Sequence, residues 1–199
     1  HEWVLEGRGS GFLAPSFGSY SESDSRASRD DSHYQVRIPY YFNIAPDRDF
    51  LLTLNQLTSR GTTIEGIYRQ LIDKNKYLDN GRFEVEAHYL DNDDIEDKKR
   101  WMFDSFVDLD INEKTKINTT ISRVSDPDYF KDINHNNTSL SALNSKLDIT
   151  YEDPEESLSI GAFAEFEQTI NDGSNYTRAP EVSISKGFEG ISGRNMDLS

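Results

Sequence analysis

The chain has 199 residues with 21 Lys+Arg against 36 Asp+Glu, a formal net charge of −15 that makes nucleic acid a poor partner. Hydrophobic residues are only 35% of it and aromatic residues 12%; the first figure argues against a large dry core, the second against a disordered acidic tail. It has no cysteine, so neither disulfides nor thiolate metal sites arise here, and no apolar run approaches the ~18 residues of a membrane helix. Contact with a membrane would have to be made by strands.

In chain order, hydropathy alternates with a period of two almost throughout. The alternation predicts about ten strands, over residues 11–20, 33–45, 49–58, 62–73, 81–91, 100–110, 114–124, 140–151, 157–170 and 179–186, with a partial further strand from near residue 191. In the fifth, Phe83, Val85, Ala87 and Tyr89 alternate with Arg82, Glu84, Glu86 and His88. In the sixth, Trp101, Phe103, Val107 and Leu109 alternate with Met102, Asp104, Phe106, Asp108 and Asp110, and in the ninth Leu158, Ile160, Ala162, Ala164 and Phe166 oppose Ser157, Ser159, Gly161, Glu165 and Glu167. Ser59-Arg60-Gly61, Asp79-Asn80-Gly81 and Asn171-Asp172-Gly173 supply residues that tolerate positive φ, as tight hairpins require. Residues 21–32, 92–99 and 126–138 read as polar loops. The acidic run from Asp91 to Asp97 lacks the glycine and final glutamate of a calcium loop at their spacing and reads as solvated.

Most of these strands exceed the ~5–6 residues usual in globular proteins and approach the ~9–11 that cross a bilayer at a tilt. A soluble sheet packed on one face would also alternate. The sequence offers no amphipathic helix to cover so many apolar faces, whereas lipid can cover them. The expected class is therefore all-β: an antiparallel up-and-down transmembrane β-barrel.

With the apolar face outward, Glu84, Glu86, His88, Asp104, Asp108, Glu165 and Glu167 are the lumen-facing candidates, the wall of a hydrated channel. Trp101, Tyr40, Tyr41 and Phe42 suit either the membrane interface or packing against a plug. Of His1, His33, His88 and His135, only His88 falls in a well-marked strand, on one face with Glu84 and Glu86 as an oriented base would be. No G-x-S-x-G or H-E-x-x-H motif accompanies it. No catalytic residue, metal ligand or cofactor is predicted, and a porin or lumenal-site enzyme on a smaller closed barrel is the alternative function.

The tract Ile38-Pro39-Tyr40-Tyr41-Phe42-Asn43-Ile44-Ala45-Pro46 carries a more specific signal. With Ser10-Gly11-Phe12-Leu13-Ala14-Pro15, Thr58-Ser59-Arg60-Gly61, Lys99-Arg100-Trp101-Met102-Phe103, the run from Arg123 through Val124, Ser125, Asp126, Tyr129 and Phe130 to Asp132, and Ala179-Pro180-Glu181-Val182, it resembles the LPS-assembly outer-membrane protein family, LptD or OstA. The resemblance implies the N-terminal part of a larger outer-membrane barrel, with residues 1–199 a partial barrel domain. The family's periplasmic jellyroll and later strands would lie outside this sequence. It further implies lipopolysaccharide as cargo, a plug lipoprotein of the LptE kind in the lumen, a periplasmic bridge protein docking on the jellyroll, and outer-membrane lipid around the wall. Pro15 matches a family proline implicated in lateral gating, because a proline cannot donate a ladder hydrogen bond across the seam. Pro39, inside another strand, is expected to mark a bulge or kink.

Overall fold

The structure, a computed structural model, describes residues 9–21, 32–133, 141–170, 176–189 and 195–198. His1, His135 and the Asn171-Asp172-Gly173 turn lie outside these. The strands are β1 (Gly11–Phe12), β2 (Ser16–Ser21), β3 (Ser32–Ala45), β4 (Arg48–Leu57), β5 (Gly61–Ile72), β6 (Asn80–Asp93), β7 (Lys98–Asn112), β8 (Thr115–Val124), β9 (Ala142–Asp153), β10 (Leu158–Thr169), β11 (Tyr176–Glu189) and β12 (Asn195–Leu198), with one helical turn, α1 (Tyr129–Asp132). Hydrogen-bonded order follows chain order from β3 onward, and β1 and β2 both pair with β3. The all-β, up-and-down antiparallel expectation is borne out.

Three departures are instructive. The strand predicted over 11–20 is two strands, because residues 13–15 leave the ladder: Phe12 opposes Tyr40 but Ser16 opposes Arg37, a one-residue slip. Exposed Pro15 stands in that break rather than within a strand. Pro39 faces that break, since residues 13–15 stand against Ile38 and Pro39 alone, a bulge on the β1/β2 side; towards β4 Pro39 pairs in unbroken register with Thr53, and the β3–β4 irregularity lies between Asn43 and Ala45. Its carbonyl still accepts from Leu13 N at 3.0 Å, so the break is bridged by an acceptor that proline retains. The predicted loop 92–99 shrinks to a four-residue turn between β6 and β7, and 126–138 contains α1.

By contacts the chain divides into unit 1 (His1–Gln70, Glu84–Asp104, Val124–Leu140) and unit 2 (Leu71–Phe83, Ser105–Arg123, Ser141–Ser199). In unit 1 an aromatic row crosses neighbouring strands: Phe12 meets Tyr40 edge-on at 4.9 Å, Tyr40 meets Phe42 at 4.6 Å and Phe42 meets Phe50 at 5.8 Å between centroids. The Phe50 ring lies against Gly66, where an added Cβ would come within 3.1 Å of it. Tyr41, one residue out of phase, instead donates from its hydroxyl to Asp49 Oδ2 at 3.3 Å. In unit 2 a row of aliphatic side chains runs through directly opposed residues Ile117, Ile149, Ala162 and Val182. The Arg123 guanidinium covers the Phe166 ring at 3.6 Å.

Burial in unit 1 is inverted relative to a water-soluble sheet. Thr53, Asn55, Thr63 and Glu65 are 5% exposed or less, while their apolar neighbours Leu54 and Ile64 are 46% and 50% exposed. Among the described residues seventeen large hydrophobic side chains are exposed, which suits contact with hydrocarbon better than contact with water.

Candidate functional site

The buried polar residues of unit 1 converge where two turns and the segment after β8 meet. The first turn closes with Arg60 N donating to Leu57 O at 3.3 Å. Gly61 follows at φ +111°, a conformation L side chains rarely adopt, with Asn92 O only 3.2 Å from where a Cβ would be. The Arg60 carbonyl accepts from Asp94 N at 3.1 Å, tying this turn to the next. There Asp93 uses Oδ1 to accept from Ile95 N and Glu96 N at 3.0 and 3.4 Å, an Asx-turn.

Its other oxygen receives two arginines: Arg60 Nη1 at 2.6 Å and Arg100 Nη1 at 3.0 Å. Arg100 also donates to Asp132 Oδ2 and Asp126 Oδ1, both at 2.9 Å, and Arg60 Nη2 lies 3.5 Å from Asp132 Oδ1. The side chains of Arg100 and Asp93 are fully buried and that of Arg60 is 4% exposed. Two guanidiniums face three carboxylates, and half-exposed Lys98 lies 3.5 Å from Asp126 and 3.6 Å from Glu96. A guanidinium fork can serve several carboxylates at once, which an ammonium cannot do with the same geometry. Removing one member of such a buried set costs about 3–5 kcal/mol, because an unpaired charge is left behind.

Asp126 and Asp132 belong to residues 125–133, which turn back onto the sheet. Ser125 N donates to Trp101 O at 2.8 Å and its hydroxyl to Asp126 Oδ2 at 2.6 Å. The helical turn is closed by Asp132 N to Asp128 O at 3.0 Å and Ile133 N to Tyr129 O at 2.9 Å. Tyr129, Phe130 and Ile133 are buried, as are Leu57, Leu90, Met102 and Val124. The Tyr129 hydroxyl lies 3.2 Å from His88 Nδ1, and His88 Nε2 lies 2.8 Å from Glu86 Oε1. Burial, and next the negative charge of Glu65, push the Tyr129 phenol pKa up from its ordinary value. Glu65 is itself held by Arg37 and by Asn55 Nδ2 at 2.8 Å.

Of the lumen-facing candidates, Glu86 and His88 are brought together with Tyr129. Glu84 and Asp104 are half-buried on β6 and β7, and exposed Asp108 lies further along β7. Glu165 pairs with Lys146 at 3.3 Å, and half-buried Glu167 lies on β10 opposite Asn144. Both ring nitrogens of His88 are thus engaged in a side chain 6% exposed. The acidic run 91–97 is exposed as expected except at Asp93, which is fully buried, drawn in by Arg60 and Arg100. Asp93 and Asp132 were not singled out as site residues from sequence. The signal available was the cations, since arginines at strand ends of so acidic a chain must find carboxylates.

A long-stranded up-and-down sheet with an apolar outward surface and a polar face buried beneath its own loop is the wall of a membrane β-barrel. Comparison with known proteins agrees. Residues 98–189 match the family described as LptD: LPS transport system D. The LPS-assembly protein LptD of Idiomarina loihiensis is 34% identical over 131 residues, 65% of this chain and 15% of that protein. That of Pseudomonas aeruginosa is 29% identical over 186 residues, 89% of this chain and 18% of its own length, and that of Thiobacillus denitrificans 31% over 147 residues, 73% and 18%. The chain belongs to the LptD family, and spans 15–18% of the length of these relatives.

Proposed function

We propose that this chain is part of the wall of an outer-membrane barrel that moves lipopolysaccharide into the outer leaflet, without cofactor or chemistry of its own. The observation that carries the reading is the inverted burial of unit 1 in a chain whose relatives are LPS-assembly proteins. A glycolipid with fatty chains and an anionic sugar needs hydrocarbon on one side of its path and water on the other, and a barrel wall divides the two. Glu84, Glu86, His88, Asp104, Asp108, Glu165 and Glu167 then line the aqueous side, where carboxylates keep an anionic cargo from adhering.

Sideways release of the acyl chains requires a seam that opens at low cost. The break at residues 13–15 supports placing flexibility at the first ribbon, since neither Pro15 nor Pro39 can donate across it. A plug lipoprotein in the lumen and a periplasmic bridge delivering cargo are the partners this reading requires. Depleting the full-length protein and probing intact cells with a lipopolysaccharide-specific antibody tests it. Surface lipopolysaccharide should fall as the protein is lost; unchanged display contradicts the transport role.

A further inference from the structure

Residues 125–133 lie on a polar floor. Asn55, Thr63, Glu65 and His88 are each 6% exposed or less. Asn55 and Thr63 are directly opposed across β4 and β5, and Asn55 Oδ1 and Thr63 Oγ1 have no hydrogen-bond partner among the described residues. The segment presses three apolar side chains, Tyr129, Phe130 and Ile133, into this region. Its two inward carboxylates, Asp126 and Asp132, are held by Arg100, with Arg60 also beside Asp132. Well-packed apolar contacts fix a segment through area, whereas a buried ionic network fixes it through register and contributes less net stability.

The division of charges is equally informative. Asp93 ends β6 and holds both arginines by itself through one oxygen. If residues 125–133 move away, Arg60 and Arg100 keep Asp93 as counter-ion, while Asp126 and Asp132 pass into water. With the segment away the two arginines share one carboxylate and water reaches the remaining positive charge, so neither is left bare in a dry site, as a two-position element needs.

We propose that residues 125–133 form a strap that narrows the aqueous path along the polar face, latched in place by Arg60 and Arg100 gripping Asp126 and Asp132. The proposal rests on the reading of that face as the lumen wall. Tyr129 and Phe130 are the obstructing side chains, His88 and Glu86 the seat for the Tyr129 hydroxyl, and Asp93 the counter-ion that keeps the arginines poised for reclosure. Opening then means releasing two ion-paired carboxylates and uncovering the apolar surface of Tyr129, Phe130 and Ile133.

The test uses the full-length protein, purified and reconstituted in planar bilayers, as wild type and as the Asp126→Asn/Asp132→Asn double variant. Ion conductance is recorded together with amide exchange over residues 129–133. The expected result is at least a threefold rise in conductance with faster exchange at those amides. Faster exchange with unchanged conductance overturns the narrowing role, and unchanged exchange overturns the latch. Should the double variant fail to assemble as a heat-modifiable barrel, Phe130→Ser, which leaves every charge of the cluster in place, is read by the same two measurements. Conductance needs no lipopolysaccharide, so raised conductance supports the strap even where antibody probing of depleted cells contradicts transport.

Discussion

Asp93 and Asp153 begin two turns of nearly identical design. Each accepts through Oδ1 from the backbone N–H groups two and three residues on, at 3.0 and 3.4 Å for Asp93 and 3.2 and 3.4 Å for Asp153. Each turn ends on a residue of positive φ, Asp97 at 51° and Ser157 at 50°. They part at the second carboxylate oxygen. Asp93 Oδ2 takes two buried arginines; Asp153 Oδ2 takes Lys114 Nζ at 2.7 Å and the Tyr151 hydroxyl at 3.2 Å, and the Lys114 side chain is 39% exposed. The local turn is therefore a property of the aspartate and its backbone, while the cation decides whether the turn becomes a hub. Arginine spreads one charge over several partners and draws a distant segment in; lysine serves one carboxylate and stays in solvent.

Substitution at the two cations should separate the turns most widely. Arg100→Ala is expected to cost about 3–5 kcal/mol in denaturant unfolding of the full-length protein, and Lys114→Ala clearly less; equal costs would erase the distinction. Gly61→Ala, which strains the arginine-bearing turn at φ +111°, should cost about 1–3 kcal/mol by the same measurement.

Salt sharpens the contrast further. Raising ionic strength to about 1 M, where the Debye length is about 3 Å, should remove the effect of Lys114→Ala and leave that of Arg100→Ala nearly intact. The smallest effect is expected in alkali. The raised Tyr129 pKa means the folded chain keeps a proton that the unfolded chain releases above about pH 10, so this residue's contribution falls as pH rises from there. Tyr129→Phe should flatten that part of the stability profile, measured by unfolding at successive alkaline pH values.

The strands were legible because alternation with a period of two is a local property. Even the split of the first predicted strand has a local cause, since Pro15 cannot join the ladder. The buried cluster was not legible in the same way. Arg60 and Arg100 stood out within motif segments, yet Asp93 sat in an acidic run that resembled any solvated turn, and only the turn geometry of Arg60 and Asp94 brings them together. In the segment after β8 the resemblance marked Ser125, Asp126, Tyr129 and Phe130, but the helical turn read as a polar loop because α1 is too short to show helical periodicity, and Tyr129 and Phe130 take their meaning from the sheet beneath them.

The central claim is that successive residues of a strand meet different solvents, and β11 offers a direct test because Ser183 and Ile184 are both exposed and point to opposite faces. Nitroxide labels placed singly at these positions in the bilayer-reconstituted full-length protein would be compared for collision with oxygen, which concentrates in hydrocarbon, and with a water-soluble nickel chelate. The account predicts oxygen-dominated relaxation at 184 and nickel-dominated relaxation at 183. Nickel-dominated relaxation at both positions, or the reverse assignment, would contradict it.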